Sequence, residues 1–174
     1  MSYLASANTA KNCGWYEENG VIKIRIIVTS GGNGKKRLKS LINEGFRIRK
    51  CDKKTLIPVH FKKSLGLVGI TVLKGNLFAD EDRTGINIRR EAKKRKLVVP
   101  SIELVYLLRE NFSDEDIAAM GLWWIVVMHR PVVDANGNSV IVDVGRASCN
   151  IGTSFACPDR HWDRNTGFAF IEKI

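Results

Sequence analysis

Cysteine and long apolar runs are both scarce in this chain. It has 4 cysteines in 174 residues, too few for a disulfide scaffold, so free thiols in a reducing compartment are expected. The longest uninterrupted apolar run covers residues 122–128, far below the roughly 18 residues that a membrane span requires. Residues 1–20 show neither a basic start nor an apolar run of signal-peptide length. The sequence therefore predicts a soluble, intracellular protein of the cytoplasm without a membrane partner.

Acidic residues are scarce in the first hundred positions. Residues 1–100 contain 22 Lys/Arg and 8 Asp/Glu, whereas residues 101–174 contain 6 and 10. The formal net charge of +10 therefore belongs to the N-terminal part of the chain. A polyanionic partner is favoured, because each phosphate that a protein neutralises releases condensed counterions. The alternative is a basic surface that only maintains solubility.

Internal repeats, low-complexity stretches and Pro/Ser-rich linkers are absent from the sequence. Hydrophobic residues make up 44% and charged residues 26%, as in ordinary globular domains. We predict one domain over residues 1–174, with a basic half at 20–100 and an acidic half at 101–174 that is helical and then β-rich. The predicted fold class is α+β, with a mixed or antiparallel sheet and two to four helices.

Alternation and apolar runs predict the strands. Residues 21–29 place Ile22, Ile24 and Ile26 on one side and Lys23 and Arg25 on the other, as in a half-buried strand. Residues 65–73 are apolar on both parities, which predicts a central strand covered on both faces. Further strands are predicted at 46–50, 56–62, 122–128, 140–144 and 168–172, with an Asn-Gly turn inside 134–139.

Helical spacing and capping residues predict three helices. In segment 35–44, Leu38 is followed by apolar residues three and four positions later, which predicts a short helix. Gly45 is placed to end that helix. Ser101 is predicted to cap a helix that runs to residue 112, and Ser113 a shorter one ending at Gly121. Residues 86–96 fit a helix with a thin apolar face, and the pattern leaves helix or loop open.

A glycine-rich loop separates the first strong strand from the first helix. Gly31, Gly32 and Gly34 lie there, in an arrangement that can present backbone N–H groups to phosphate. The Walker A pattern needs glycine where Thr29 stands and Ser or Thr where Lys36 stands, so nucleotide hydrolysis is not supported. A contact with nucleic-acid phosphate and an ordinary turn both remain open.

Two basic clusters carry the functional hypothesis. Residues 35–63 contain 11 Lys/Arg with only Glu44 and Asp52 as acids, and a second cluster covers residues 89–96. Such clusters are typical of nucleic-acid patches and also of solvated loops. The sequence leaves open whether the fold brings the two clusters to one face. The candidate nucleic-acid-binding residues are Lys35, Lys36, Arg37, Lys39, Arg47, Arg49, Lys62, Lys93, Lys94 and Arg95.

Metal-ligating residue types concentrate near the C-terminus. Cys149, Cys157 and His161 have a spacing that does not match a structural zinc site, so no metal or other cofactor is predicted. The candidates that remain are Asp159, His161 and Asp163, which could hold Mg²⁺ for phosphodiester cleavage if His129 or Asp143 completed the set in space. No local signature identifies a catalytic residue.

Tryptophans offer candidate contact residues. Trp123 and Trp124 are adjacent, so a strand points them to opposite faces, with burial the more frequent outcome for both. Trp15, Tyr16 and especially Trp162, which lies in a polar segment, are expected at the surface.

Charge and the lack of a catalytic signature favour a non-enzymatic protein that binds DNA or RNA through the phosphate backbone. An alternative is a small protein-binding inhibitor or regulator of a nucleic-acid-processing complex, which would bind an acidic protein surface. A metal-dependent nuclease that uses Asp159, His161 and Asp163 is a third hypothesis.

Overall fold

A computed structural model of the chain describes residues 13–28, 32–61, 66–146 and 150–172. Within these ranges the strands are β1 Cys13–Glu18, β2 Val21–Val28, β3 Gly32–Asn33, β4 His60–Phe61, β5 Gly66–Lys74, β6 Trp124–Val127, β7 Val132–Val133, β8 Ser139–Gly145, β9 Ile151–Phe155 and β10 Thr166–Ile171. The helices are α1 Gly34–Asn43, α2 Lys50–Leu56, α3 Gly85–Lys94, α4 Leu104–Asn111 and α5 Asp114–Ala119, with short 3₁₀ helices at Gly75–Leu77 and Asp80–Asp82.

Eight of the strands form one mixed sheet in the order β1-β2-β5-β10-β6-β8-β7, with β9 paired to β8. The β10–β6 pair is parallel, and the other pairs of this sheet are antiparallel. The short strands β3 and β4 pair separately. The predicted single α+β fold with a mixed sheet is confirmed, although the described residues contain five α-helices and not two to four.

Apolar residues cover both faces of the sheet. Ile22 belongs to the larger core, which also holds buried residues of α1, α4 and α5. Val21 belongs to a second core with Ile88 and Ala92 of α3. Because successive residues of a strand point to opposite faces, α1 and α3 lie on opposite faces of the sheet.

Several local predictions are confirmed. The strands predicted at 21–29 and 65–73 match β2 and β5, and β5 lies between β2 and β10 with its second half buried. Gly45 follows α1 with a φ of 95°, which favours glycine. Ser113 caps α5 through a capping box with Asp116. The open segment 86–96 is helical over most of its length, as α3.

Three local predictions are wrong. Segment 46–50 makes only an isolated bridge between Ile48 and Ile151, and α2 begins at Lys50. The strand predicted at 56–62 is reduced, within the described residues, to the two residues of β4, because α2 extends to Leu56. Ser101 does not cap α4, since the backbone first makes a tight turn and the helix begins at Leu104.

Membrane insertion finds no support in the helices. Throughout the described ranges, none of them combines the length and the apolar character that crossing a bilayer demands.

Candidate functional site

Unpaired positive charge concentrates on α1, on α2 and on the segment between them. Seven cations there are exposed or half-buried, and none forms an ion pair with a carboxylate of the described residues. We call this set the α1–α2 surface, and its members are Lys35, Lys36, Lys39, Arg47, Lys50, Lys53 and Lys54. The contact between α1 and α2 joins the two parts of the set.

Helix packing explains why these side chains point outward. In α1, Leu38 and Leu41 are buried against the larger core, so the lysines lie on the remaining faces. In α2, Leu56 is buried and so is Asp52, whose exposed fraction is 1%. A polar residue therefore replaces part of the apolar stripe that usually marks a helix.

Arg37 and Arg49 differ from the other predicted cations of this region because each holds a carboxylate. Arg37 Nη1 lies 2.7 Å from Glu110 Oε2. Arg49 Nε lies 2.6 Å from Asp52 Oδ2, and Thr153 Oγ1 donates to Asp52 Oδ1 at 2.7 Å. Asp52 is thus paired with Arg49 and does not neutralise the lysines of α2. The predicted Lys62 lies outside the described residues.

The second predicted cluster lies on α3, across the sheet from α1. Lys93 is exposed without an ion pair among the described residues, whereas Lys94 and Arg95 share Glu91 at 3.7 and 2.8 Å. Half-buried Arg89 donates to two backbone carbonyls at 2.8 and 2.9 Å, and burial lowers the pKa of its guanidinium. The two basic clusters therefore do not form one surface.

The glycine loop uses its backbone donors internally. Asn33 caps α1 by accepting the N–H of Lys36 at 2.9 Å, and the N–H of Gly34 donates to Val59 O at 2.6 Å. A Cβ at residue 34 would lie 2.4 Å from Leu56 O, so glycine is required there by close packing. Residues 30 and 31 of the predicted loop lie outside the described part of the chain, as does Thr29 before it.

A polar cleft of about 350 Å³ opens on the sheet face opposite to α1, near the β9 edge. Its floor includes Asp143 of β8, and Trp124 and Trp162 contribute aromatic walls. Arg49 and Arg160 are its cations. The guanidinium of Arg160 stands 4.3 Å from the centre of the Trp162 ring, a cation–π contact.

Asp143 is the most perturbed acid of the cleft. Only 8% of the residue is exposed, and Ser154 Oγ donates to its Oδ2 at 2.9 Å. Burial raises the pKa of the Asp143 carboxyl to about 6, assisted by the nearby Asp52 charge and opposed by Ser154, Arg49 and Arg160. A carboxyl of this kind inside a cleft is typical of functional sites.

The predicted metal residues come only partly together. His161 and Asp163 line the cleft with Asp143, but Asp159 does not. Asp163 Oδ1 accepts the N–H of Asn165 at 2.8 Å. Across the described residues, no group of three His, Cys, Asp or Glu side chains is placed to hold a metal ion, and Cys149 lies outside them. The geometry of the described residues therefore does not support the metal-dependent nuclease hypothesis.

His129, one of the two residues suggested to complete that set, has a structural role. Its exposed fraction is 2%, and burial lowers the pKa of its imidazole. Nε2 accepts the N–H of Val142 at 3.1 Å, so the ring proton lies on Nδ1 and is donated to Arg130 O at 2.5 Å.

Two of the tryptophans expected at the surface are buried, with exposed fractions of 5% for Trp15 and 9% for Trp162. Trp162 packs edge to face against Phe168, whose ring centre is 5.9 Å away. Trp123 is 48% exposed and Trp124 half-buried. No sequence pattern marks Ser154, Arg160 and Trp124 as cleft residues, whereas Asp143 is a lone acid in the apolar run VIVDV, a signal that could have pointed to it.

No family model matches the chain, and no curated protein or solved structure is similar to it. Its function is therefore inferred from the residues themselves.

Proposed function

We propose that this protein binds nucleic acid through the phosphate backbone, using the α1–α2 surface. The observation that carries the proposal is the group of seven cations without carboxylate partners among the described residues. They lie on two helices in contact and on the segment between them. Lysine and arginine attract phosphates without regard to base sequence. The cations of α3 support the proposal less, because Lys94 and Arg95 are held by Glu91.

A cytoplasmic location belongs to the same proposal. Cys51 and Cys157 are exposed thiols that form no disulfide, which fits a reducing compartment. Nucleic acid is abundant there, so the proposal needs no transport step.

Fluorescence anisotropy with labelled single- and double-stranded DNA and RNA tests the proposal. We expect binding at about 50 mM salt that weakens steeply as salt is raised. The triple variant with Lys35→Gln, Lys36→Gln and Lys39→Gln should bind at least tenfold more weakly, because up to three phosphate contacts are lost. Glutamine keeps a helix propensity close to that of lysine, so α1 should remain folded.

The matched control is a triple variant of α3 and the residues just after it, with Arg90→Gln, Lys93→Gln and Lys96→Gln. It removes the same charge from exposed positions on the other side of the sheet. Equal weakening by both triple variants would indicate a bulk charge effect and contradict an interface on α1–α2. Absence of any binding at low salt would reject the proposal and leave a protein partner as the alternative.

A further inference from the structure

The polar cleft adjoins the α1–α2 surface through one residue. Arg49 directly precedes Lys50, the first residue of α2, and its guanidinium also lines the cleft. Arg49 Nη2 donates to Thr153 O at 3.4 Å, which places it at the β9 edge of the sheet. A nucleic-acid strand whose phosphates lie on α2 can therefore pass from Lys50 to the cleft along Arg49, whose guanidinium is paired with Asp52.

The floor of the cleft has hydrogen-bonding capacity that the protein does not use. Asp143 is more than nine-tenths buried, and within the described ranges Ser154 is its one hydrogen-bond donor. A carboxylate can accept about four hydrogen bonds. Asp143 Oδ1 is thus open to N–H donors of a ligand.

The walls suit a flat ring. Trp124 is fixed against Gly145 of the neighbouring strand, since a Cβ on that glycine would lie 2.4 Å from Trp124 Cε3. The Trp162 ring carries Arg160 on one face. Its indole Nε1 is buried and has no partner among the described residues. Aromatic side chains beside a cation are typical platforms for nucleobases.

These groups define the ligand by its chemistry. It must offer N–H donors to a carboxylate, a flat ring to the half-buried Trp124 and an anion to Arg49 and Arg160. A nucleotide has all three, and guanine is the base with two neighbouring N–H donors, N1–H and the N2 amino group, for the two oxygens of one carboxylate. The cleft volume of about 350 Å³ is near the lower limit for small-molecule pockets, which fits a single nucleotide.

We propose that the cleft binds one guanine nucleotide, with the base edge on Asp143 and the phosphate toward Arg49 and Arg160. As a unit of a longer strand, this nucleotide would be the one delivered by the α1–α2 surface, and that part of the inference rests on the proposed function. Binding of free GMP does not depend on it.

Isothermal titration calorimetry with GMP, AMP, CMP and UMP tests the inference on the wild-type chain. We expect GMP to bind at least tenfold more tightly than UMP, which offers one N–H donor on the same edge. No heat of binding at about 1 mM GMP, or equal affinity for all four nucleotides, would overturn the inference.

Two variants locate the site. Asp143→Asn replaces one acceptor oxygen by an amino group and should weaken GMP binding at least tenfold. Wild type should bind GMP more tightly than guanosine, because guanosine lacks the phosphate. Arg160→Ala changes an exposed residue and so preserves the fold; it should reduce this preference, since Arg49 is the one cation of the cleft that remains. If Asp143→Asn does not fold, the site is tested by Arg160→Ala and by the base selectivity of wild type. An unchanged preference for GMP over guanosine in Arg160→Ala would contradict the site.

The triple lysine variant of α1 separates the two proposals. It should weaken oligonucleotide binding while leaving the affinity for GMP within twofold of wild type. Oligonucleotide binding without GMP binding would contradict only the cleft inference. GMP binding without oligonucleotide binding would contradict only the proposed function.

Discussion

Trp124 lies so close to Gly145, its partner on β8, that a methyl group at residue 145 would stand 2.4 Å from the Trp124 ring. Glycine at this position lets the indole ring rest on the strand and form a wall of the cleft. We expect Gly145→Ala to lower the free energy of unfolding by roughly 1–3 kcal/mol, because the ring must move out of a packed position. Urea denaturation measures the change.

Gly14→Ala is the matched control for that variant. Gly14 also lies in a strand, and a Cβ there would meet no atom within 4 Å. Its substitution should change the stability by no more than about 0.5 kcal/mol. Equal effects of the two substitutions would show that crowding by Trp124 is not the cause.

The buried carboxyl of Asp143 should make the stability depend on pH. Its pKa rises from 3.8 to about 6 on folding, so between these values the folded chain keeps a proton that the unfolded chain has lost. The carboxyl therefore favours folding least above pH 6. We expect the stability of Asp143→Asn relative to wild type to improve by about 3 kcal/mol as pH rises from ~3.5 to ~7.5.

Denaturation curves of both proteins at several pH values check that window. The charges of Asp52, Arg49 and Arg160 act on Asp143, and His161 and Asp163 line the same cleft. Both proteins keep all five residues. The exposed Asp159→Asn serves as control and should follow wild type throughout. A constant difference between Asp143→Asn and wild type across the range would contradict a raised pKa at this carboxyl.

Arg109 is fully buried and gathers groups from several elements. Its guanidinium donates to Asp114 Oδ1 at 2.9 Å and to the carbonyls of Phe112 and Gly145, and it stands 4.6 Å from the centre of the Phe46 ring. A lysine ammonium cannot meet all of these partners at once. Arg109→Lys should therefore reduce stability by roughly 2–4 kcal/mol, measured by urea denaturation.

The control for Arg109→Lys is the same substitution at an exposed position. Arg90→Lys on α3 removes only a hydrogen bond to Asn87 and should change the stability by less than about 0.5 kcal/mol. If Arg109→Lys were equally mild, the buried contacts of its guanidinium would not be holding the helices to the sheet.

Two serines of similar sequence context should respond differently to substitution. Ser113 accepts the N–H of Asp116 and caps α5, so Ser113→Ala should cost about 1 kcal/mol. Ser101 is exposed and contributes no side-chain cap to α4, so Ser101→Ala should be nearly neutral. Thermal unfolding of both variants distinguishes a capping serine from one that only resembles it in sequence.

Salt dependence reports how many phosphates the α1–α2 surface contacts. For the wild-type chain, log K should fall with log salt by about 0.7 to 0.9 per phosphate. The variant without Lys35, Lys36 and Lys39 side-chain charges should show a slope smaller by about 2 to 3, since each lysine accounts for about one contact. A reduced affinity with an unchanged slope would mean that these lysines do not contact phosphate.

The sequence predicted the elements whose signals are local. In β2 the isoleucines alternate with Lys23 and Arg25, and in α5 the cap and the first-turn acids are adjacent in the chain. The helix α2 escaped prediction because its inward positions include Asp52, which is buried through Arg49 and Thr153. Those partners are supplied by the fold, so the apolar spacing never reveals the helix.

The sequence also could not predict which residues share a face of the sheet or contact each other across it. The sequence left open whether the basic clusters of α1 and α3 share one face, and the structure separates them, since Leu38 and Ile88 belong to different cores on opposite faces. The sequence suggested Asp143 only as a possible addition to a metal set, because Ser154 and Arg160 reach it only after β9 and the following loop have folded back. Segment 46–50 alternates like a strand and finds only Ile151 to pair with.

The carbonyl of Leu56 ends α2 at a point where three helices meet. Tyr106 Oη of α4 donates to it at 2.8 Å, and Gly34 of α1 lies close enough to exclude a side chain. Burial raises the pKa of the Tyr106 hydroxyl, which therefore keeps its proton as a donor. Because this junction holds α1 and α2 in a fixed mutual orientation, the backbone that carries the lysines is already rigid before a ligand arrives. Association then loses little backbone entropy, and a preorganised array of charges binds more tightly than the same lysines on a disordered tail.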